Sequence, residues 1–196
     1  MAVFTNKVVI VTGASEGIGR ALSLALATQN AKLVLAARNK DRLGELEKEI
    51  QSKGAEAISI ATDVTKKEEC ENLINEAVKA FGQIDVLVNN AGRTMWTHFE
   101  DITDLSLIED LMQLNYMGSV YCTFYALPWL KKTKGLIVPV ASVAGLTGVP
   151  SRTGYSASKH AMIGFFDSLR VELRDTGVSV TVVTPDFVLS EMHRRA

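Results

Sequence analysis

A chain of 196 residues with 47% hydrophobic content can fill one core and is too short for two ordinary domains. Its 21 basic and 22 acidic residues leave a formal charge of -1, which excludes the one-sided electrostatic footprint of a nucleic-acid binder or of a protein held on an anionic membrane surface. The partner implied is a small molecule. Cys70 and Cys122 match neither a metal-ligand spacing nor a redox pair, which points to buried, reduced thiols and a cytoplasmic protein. The first strand is predicted too close to Met1 to leave room for a secretion signal, and no apolar run reaches the roughly 18 residues of a spanning helix.

Short runs rich in β-branched and aliphatic residues alternate with longer amphipathic segments. This is the pattern of βαβ units laid into a parallel sheet covered on both faces. Strands are predicted over 8–12, 32–36, 57–62, 85–89, 135–142 and 178–184, and helices over 17–28, 41–53, 66–81, 105–132 and 154–175. The expected architecture is a single α/β domain with a doubly wound parallel sheet. Pro139 falls inside the fifth strand, where a missing N–H removes one ladder bond, so a local bulge or an unpaired position is expected there. Apolar residues lie on more than one side of the two longest helices, among them Leu111, Phe124, Phe165 and Phe166. Such helices bury one face on the sheet and keep another for a second subunit.

Between the first strand and helix the chain reads Gly13, Ala14, Ser15, Glu16, Gly17, Ile18, Gly19. Glycines there let the backbone turn tightly and aim free N–H groups, with the positive end of a helix, at a pyrophosphate. A dinucleotide is the natural ligand. In a Rossmann arrangement an acid closing the second strand reads the 2′-hydroxyl of NAD, whereas an arginine accommodates the 2′-phosphate of NADP. Here that strand ends Ala36-Ala37-Arg38-Asn39 without an acid, so NADP is expected over NAD with Arg38 as phosphate ligand; the alternative is a solvated surface arginine. Asp63 and Val64 close the third strand, where the carboxylate either takes the adenine amino group or caps the helix starting near Thr65.

Tyr155 and Lys159 are four residues apart in a predicted helix and therefore share a face, with Ser142 thirteen residues before the tyrosine. A free phenol has a pKa of about 10, too high for a base at neutral pH, and a neighbouring ammonium favours the phenolate. Beside a dinucleotide, this pairing implies hydride transfer to or from a carbonyl.

From residue 7 to 190 the chain resembles the short-chain dehydrogenase/reductase family. Thr12-Gly13-x-x-x-Gly17-x-Gly19, Asp63-Val64, Asn89-Asn90-Ala91-Gly92, Asn115, Ser142 and Tyr155-x-x-x-Lys159 stand in that family's order. The resemblance implies that Tyr155 is the general acid/base and that Ser142 holds the substrate oxygen. It implies that Lys159 binds the nicotinamide ribose and lowers the tyrosine pKa, and that Asn115 anchors a proton-relay water. Asn90, Ala91 and Gly92 would end the fourth strand beside the cofactor. Pro185 and Val188 would come after the last strand, with Val188 offering backbone groups to the carboxamide and Ser190 a hydroxyl to the cofactor. The family's glycine after Pro185 is replaced by Asp186, whose carboxylate would repel a pyrophosphate unless turned away. The resemblance also implies a homodimer or homotetramer, and a longer chain in which 191–196 begins a lid.

The loops after strands four, five and six carry Trp96, Leu146 and Phe187 and form an apolar pocket, suited to an aliphatic or alicyclic ketone or alcohol. His98, His160 and His193 show no ligand spacing and no metal is expected. Two other readings remain open, a non-catalytic NADP-binding sensor or scaffold, and an enzyme that oxidises transiently to epimerise or dehydrate.

Overall fold

The computed structural model describes residues 3–188; the positions of Ser190 and the expected lid start lie outside them. Six strands, β1 Val8–Thr12, β2 Lys32–Ala37, β3 Ala57–Ala61, β4 Val86–Asn89, β5 Leu136–Pro139 and β6 Ser179–Val180, form one sheet in the order β3-β2-β1-β4-β5-β6. Every pairing is parallel. The helices are α1 Gly17–Ala27, α2 Lys40–Ser52, α3 Lys67–Phe81, α4 Ser106–Leu111, α5 Gly118–Thr133 and α6 Thr153–Glu172.

β1 shows why the sheet is covered on both faces. All five of its residues are buried, and successive side chains point to opposite sides. Val8 and Ile10 join a core with Leu73 of α3, Leu130 of α5 and Phe166 of α6. Val9 and Val11 join a second core with Leu26 of α1 and Leu43, Leu46 and Ile50 of α2. Cys70 and Cys122 meet in the first core although far apart in sequence; Cys70 Sγ donates to the Val64 carbonyl at 3.4 Å, and the neighbouring Cys70 thiol together with burial holds Cys122 well above the usual thiol range.

Pro139 sits in register opposite Asn89 without a bulge, and resolves the expected defect as an unmade bond. Val140 N–H donates to Asn89, so even-numbered residues of β5 turn their donors to β4; Ala141 N–H donates to Val183, so odd-numbered ones turn them to β6. The proline therefore lacks its donor only toward the edge strand. β6 is correspondingly short: the predicted 178–184 shrinks to two residues, with one further bridge between Val140 and Val183.

The helix predicted over 105–132 is divided. Between α4 and α5 the chain makes a π-helical turn, Met112–Met117, a wider turn that takes in one extra residue and leaves Asn115 fully buried.

Candidate active site

Past the carboxyl ends of β1, β2, β4 and β5, the loops open onto a cleft of about 980 Å³. This is where an open α/β sheet binds its ligand, at the point where strand order reverses between β1 and β4. Gly13, Ser15, Glu16, Gly17 and Ile18 form one end of its lining, with Arg38, Asp63, Val64, Asn90, Ala91 and Gly92 beside them. Ser142, Tyr155, Lys159, Pro185 and Val188 line the other end. Gly19 and Asn115 stand behind this wall.

The glycine turn is locked by the strand beside it. Thr12 Oγ1 accepts from the backbone N–H groups of Asn90 and Ala91 at 2.9 and 3.0 Å, and Asn90 Nδ2 donates to the Thr12 and Gly13 carbonyls. Gly13 and Gly17 take positive φ, 65° and 56°. At Gly19 a Cβ would lie 2.3 Å from the Gly13 carbonyl oxygen, so only glycine lets α1 start so close to the turn. No side chain caps α1, and its first turn carries no acid. Its leading N–H groups are therefore free to meet an anion in the cleft.

At the adenosine side, Arg38 is exposed and makes no ion pair among the described residues. Asn39 next to it caps α2 by accepting from Arg42 N–H at 3.0 Å, and Arg42 is in turn tied to Glu16 by an ion pair. Arg42 was not singled out from sequence; its place in the first turn of a helix gave no signal. Asp63 Oδ1 accepts from both N–H and hydroxyl of Thr65 in a tight local turn. It does not cap α3, which starts at Lys67 with Lys66 as cap residue.

Ser142 Oγ accepts from Ala144 N–H at 3.2 Å and starts a short 3₁₀ turn, Val143–Gly145. Its own proton makes no bond among the described residues, so the hydroxyl is left as a donor toward the cleft. Tyr155 and Lys159 project from α6 into the cleft, one turn apart. Lys159 Nζ donates to the Val140 carbonyl at 2.8 Å and lies 5.8 Å from the Tyr155 ring centroid. The ammonium is 4% exposed and has no carboxylate partner among the described residues; burial pushes its pKa down to about 8.

Asn115 is held from three directions. Its Oδ1 accepts from Arg93 N–H at 2.9 Å, and its Nδ2 donates to the Arg93 carbonyl and to Ser158 Oγ. Gly92 fits between this amide and the lysine: a Cβ there would stand 2.9 Å from Asn115 Oδ1 and 3.7 Å from Lys159 Nζ. Ser158 went unread in the sequence, although its position beside the lysine on α6 could have suggested it. Asp186 lines the cleft and is exposed, and its backbone needs no positive φ, so the absent glycine costs no strain here.

The sequence pattern of the short chain dehydrogenase family matches residues 7–196. This chain belongs to that family. Among family relatives, an Arabidopsis thaliana protein called 11-beta-hydroxysteroid dehydrogenase-like 2 is 39% identical over 96% of this chain and 61% of its own length. A Pinus massoniana 11-beta-hydroxysteroid dehydrogenase is 40% identical over 96% of this chain and 53% of its own. The chain thus spans between about half and three-fifths of the length of these curated relatives. Among solved family structures, a Burkholderia phymatum short chain dehydrogenase/reductase in complex with NAD superimposes with a TM-score of 0.93 at 31% identity, over 99% of this chain and 70% of that one. An alcohol dehydrogenase from Thermococcus sibiricus, complexed with 5-hydroxy-NADP, gives 0.88 at 31% identity over 93% and 77%. The family is one of oxidoreductases, and the sheet order, glycine turn and cleft described above are its fold.

Proposed function

We propose that the chain carries the catalytic domain of an NADP(H)-dependent oxidoreductase acting on a carbonyl or secondary alcohol of a largely apolar substrate. The observation that carries this reading is that Ser142, Tyr155 and Lys159 line the same cleft as the uncapped start of α1.

The donor set fits a dinucleotide. The first turn of α1 offers N–H groups to a pyrophosphate, Asp63 keeps its second oxygen for an adenine amino group, and Arg38 takes a 2′-phosphate. When bound, the nicotinamide supplies or accepts the hydride. In reduction, Ser142 donates a hydrogen bond to the substrate oxygen, which steadies the charge growing there, while Tyr155 gives that oxygen its proton. Lys159 favours the phenolate left behind, and Asn115 holds the relay by which that proton is restored. Two neighbours by name hold NAD and 5-hydroxy-NADP, and the plant relatives named for 11-beta-hydroxysteroids support an alicyclic alcohol or ketone. The outward sides of α5 and α6, which expose Phe124 and Val171, are the surfaces we assign to a homodimer or homotetramer.

Initial rates with NADPH and NADH on a panel of alicyclic ketones test the reading. We expect kcat/KM to favour NADPH by about 10-fold or more, with Arg38→Gln removing most of the difference. Equal or better use of NADH would overturn the coenzyme assignment, and no reduction of any ketone would overturn the reaction.

A further inference from the structure

Arg152, the residue before α6, is 9% exposed and lines the cleft. Its guanidinium lies 4.3 Å from the centre of the Trp96 ring and 5.6 Å from that of Tyr155, and Nη1 donates to Thr94 Oγ1 at 3.0 Å. Nothing else neutralises it among the described residues. Three carboxylates line the same cleft, Glu16, Asp63 and Asp186, and none forms an ion pair with Arg152 among the described residues.

The placement runs against two local preferences. A buried cation without a counter-charge is costly, and stacking on an indole offsets only part of that cost. A cation at the start of a helix also opposes the helix dipole, and here it precedes a 20-residue helix with no acid in its first turn. Residues that break local rules without compensation concentrate at functional sites. Both penalties vanish when an anion sits on the guanidinium, because it pairs with the charge and also meets the positive end of α6.

We infer that Arg152 is the recognition point for a carboxylate on the substrate, so that the substrate is an oxo acid or hydroxy acid with an apolar body. Trp96 and Val149 supply the apolar wall around that group, and Thr94 fixes the guanidinium plane. Arg152 and Tyr155 face the same cleft, so one small molecule can reach both. Arg93 also lines this part of the cleft but is paired with Asp110, so Arg152 is the guanidinium without a carboxylate here among the described residues, and it distinguishes this pocket from the purely apolar one expected from its loops. The reacting oxygen in this inference rests on the oxidoreductase reading above, whereas the carboxylate site stands without it.

The test compares cyclohexanecarboxylate with cyclohexanecarboxamide as ligands of the intact chain with coenzyme bound, read by Trp fluorescence. Trp96 reports on the site, and a Trp129→Phe background removes the other indole. We expect the acid to bind about 10-fold or more tightly than the amide, and Arg152→Gln to erase that preference without changing coenzyme affinity. Equal affinities in the chain that keeps Arg152 would overturn the inference. So would an acid preference that survives in Arg152→Gln, and a purely structural role in pinning Thr94 and Trp96 predicts the first of these results. Rates on 3-oxocyclohexanecarboxylate and its carboxamide then separate the two claims. Acid-selective binding without hydride transfer would sink the proposed reaction alone, and ketone reduction without acid selectivity would sink this inference alone.

Discussion

Lys159 holds its ammonium 5.8 Å from the centre of the Tyr155 ring while donating to the Val140 carbonyl at 2.8 Å. The lysine is thus anchored to the end of β5, and the distance to the phenol is set by the sheet and not by a flexible side chain. Replacing Tyr155 by Phe should leave this anchor and the cleft intact but remove the proposed proton donor. We expect kcat to fall by about 10²- to 10⁴-fold with coenzyme affinity within about twofold, measured by steady-state kinetics and by titration of coenzyme fluorescence.

Burial of the same lysine makes stability depend on pH. The folded value of about 8 lies below the ordinary 10.5, so between these limits the unfolded chain binds a proton that the folded chain has released. Stability then rises with pH across that window, and the cost of the buried charge is present in full below it. Denaturant unfolding of the coenzyme-free chain should show Lys159→Met more stable at pH 7, the gap closing by about 3 kcal/mol toward pH 10.5. A gap that stays constant would mean the ammonium is not desolvated.

At the opposite end of the sheet, Asp85 accepts from Lys7 Nζ at 2.8 Å, from Val8 N–H at 2.9 Å and from Gln83, just before β4. Burial pushes its pKa up, yet these three donors together hold it below the ordinary carboxylate range. Its stabilisation is therefore present above the unfolded value of about 4 and is lost as pH falls through the lower folded value. Asp85→Ala should cost about 2–3 kcal/mol at pH 7 by chemical denaturation, and the variant should lose less stability than the parent on acidification.

Two glycines should respond in opposite directions. Gly19→Ala forces a Cβ to within 2.3 Å of a backbone oxygen and should cost about 1–3 kcal/mol while weakening coenzyme binding. Gly44, inside α2, has nothing within 4 Å of the position a Cβ would take, and Gly44→Ala should stabilise by about 0.5–1 kcal/mol. Melting curves of both variants with and without NADP check the pair.

The alternation of strands and helices was legible because β1 and its neighbours are short apolar runs bounded by glycine and asparagine, and the glycine turn and Tyr155–Lys159 pair announced the cleft by spacing alone. What stayed hidden depends on contacts between distant segments. Arg152 reads as an ordinary polar residue in Pro150-Ser151-Arg152 until Trp96 and Thr94 are brought against it. Nor could spacing reveal that Cys70 and Cys122 touch, since α3 and α5 meet only in the folded core. Pro139 was readable as a defect, but its harmlessness depends on which neighbour its missing donor would have faced.

The π-helical turn at Met112–Met117 sets a phase as well as a shape. One surplus residue rotates α4 by about 100° relative to α5, because each residue of an α-helix advances by that angle. Removing a single residue there would leave composition and length almost unchanged, yet swing Asn115 away from Arg93 and Ser158 or turn α5 off the sheet. The segment therefore works as two half-helices out of step, one packed on α6 and the other on α3 and the sheet, and counting residues through it matters as much as naming them.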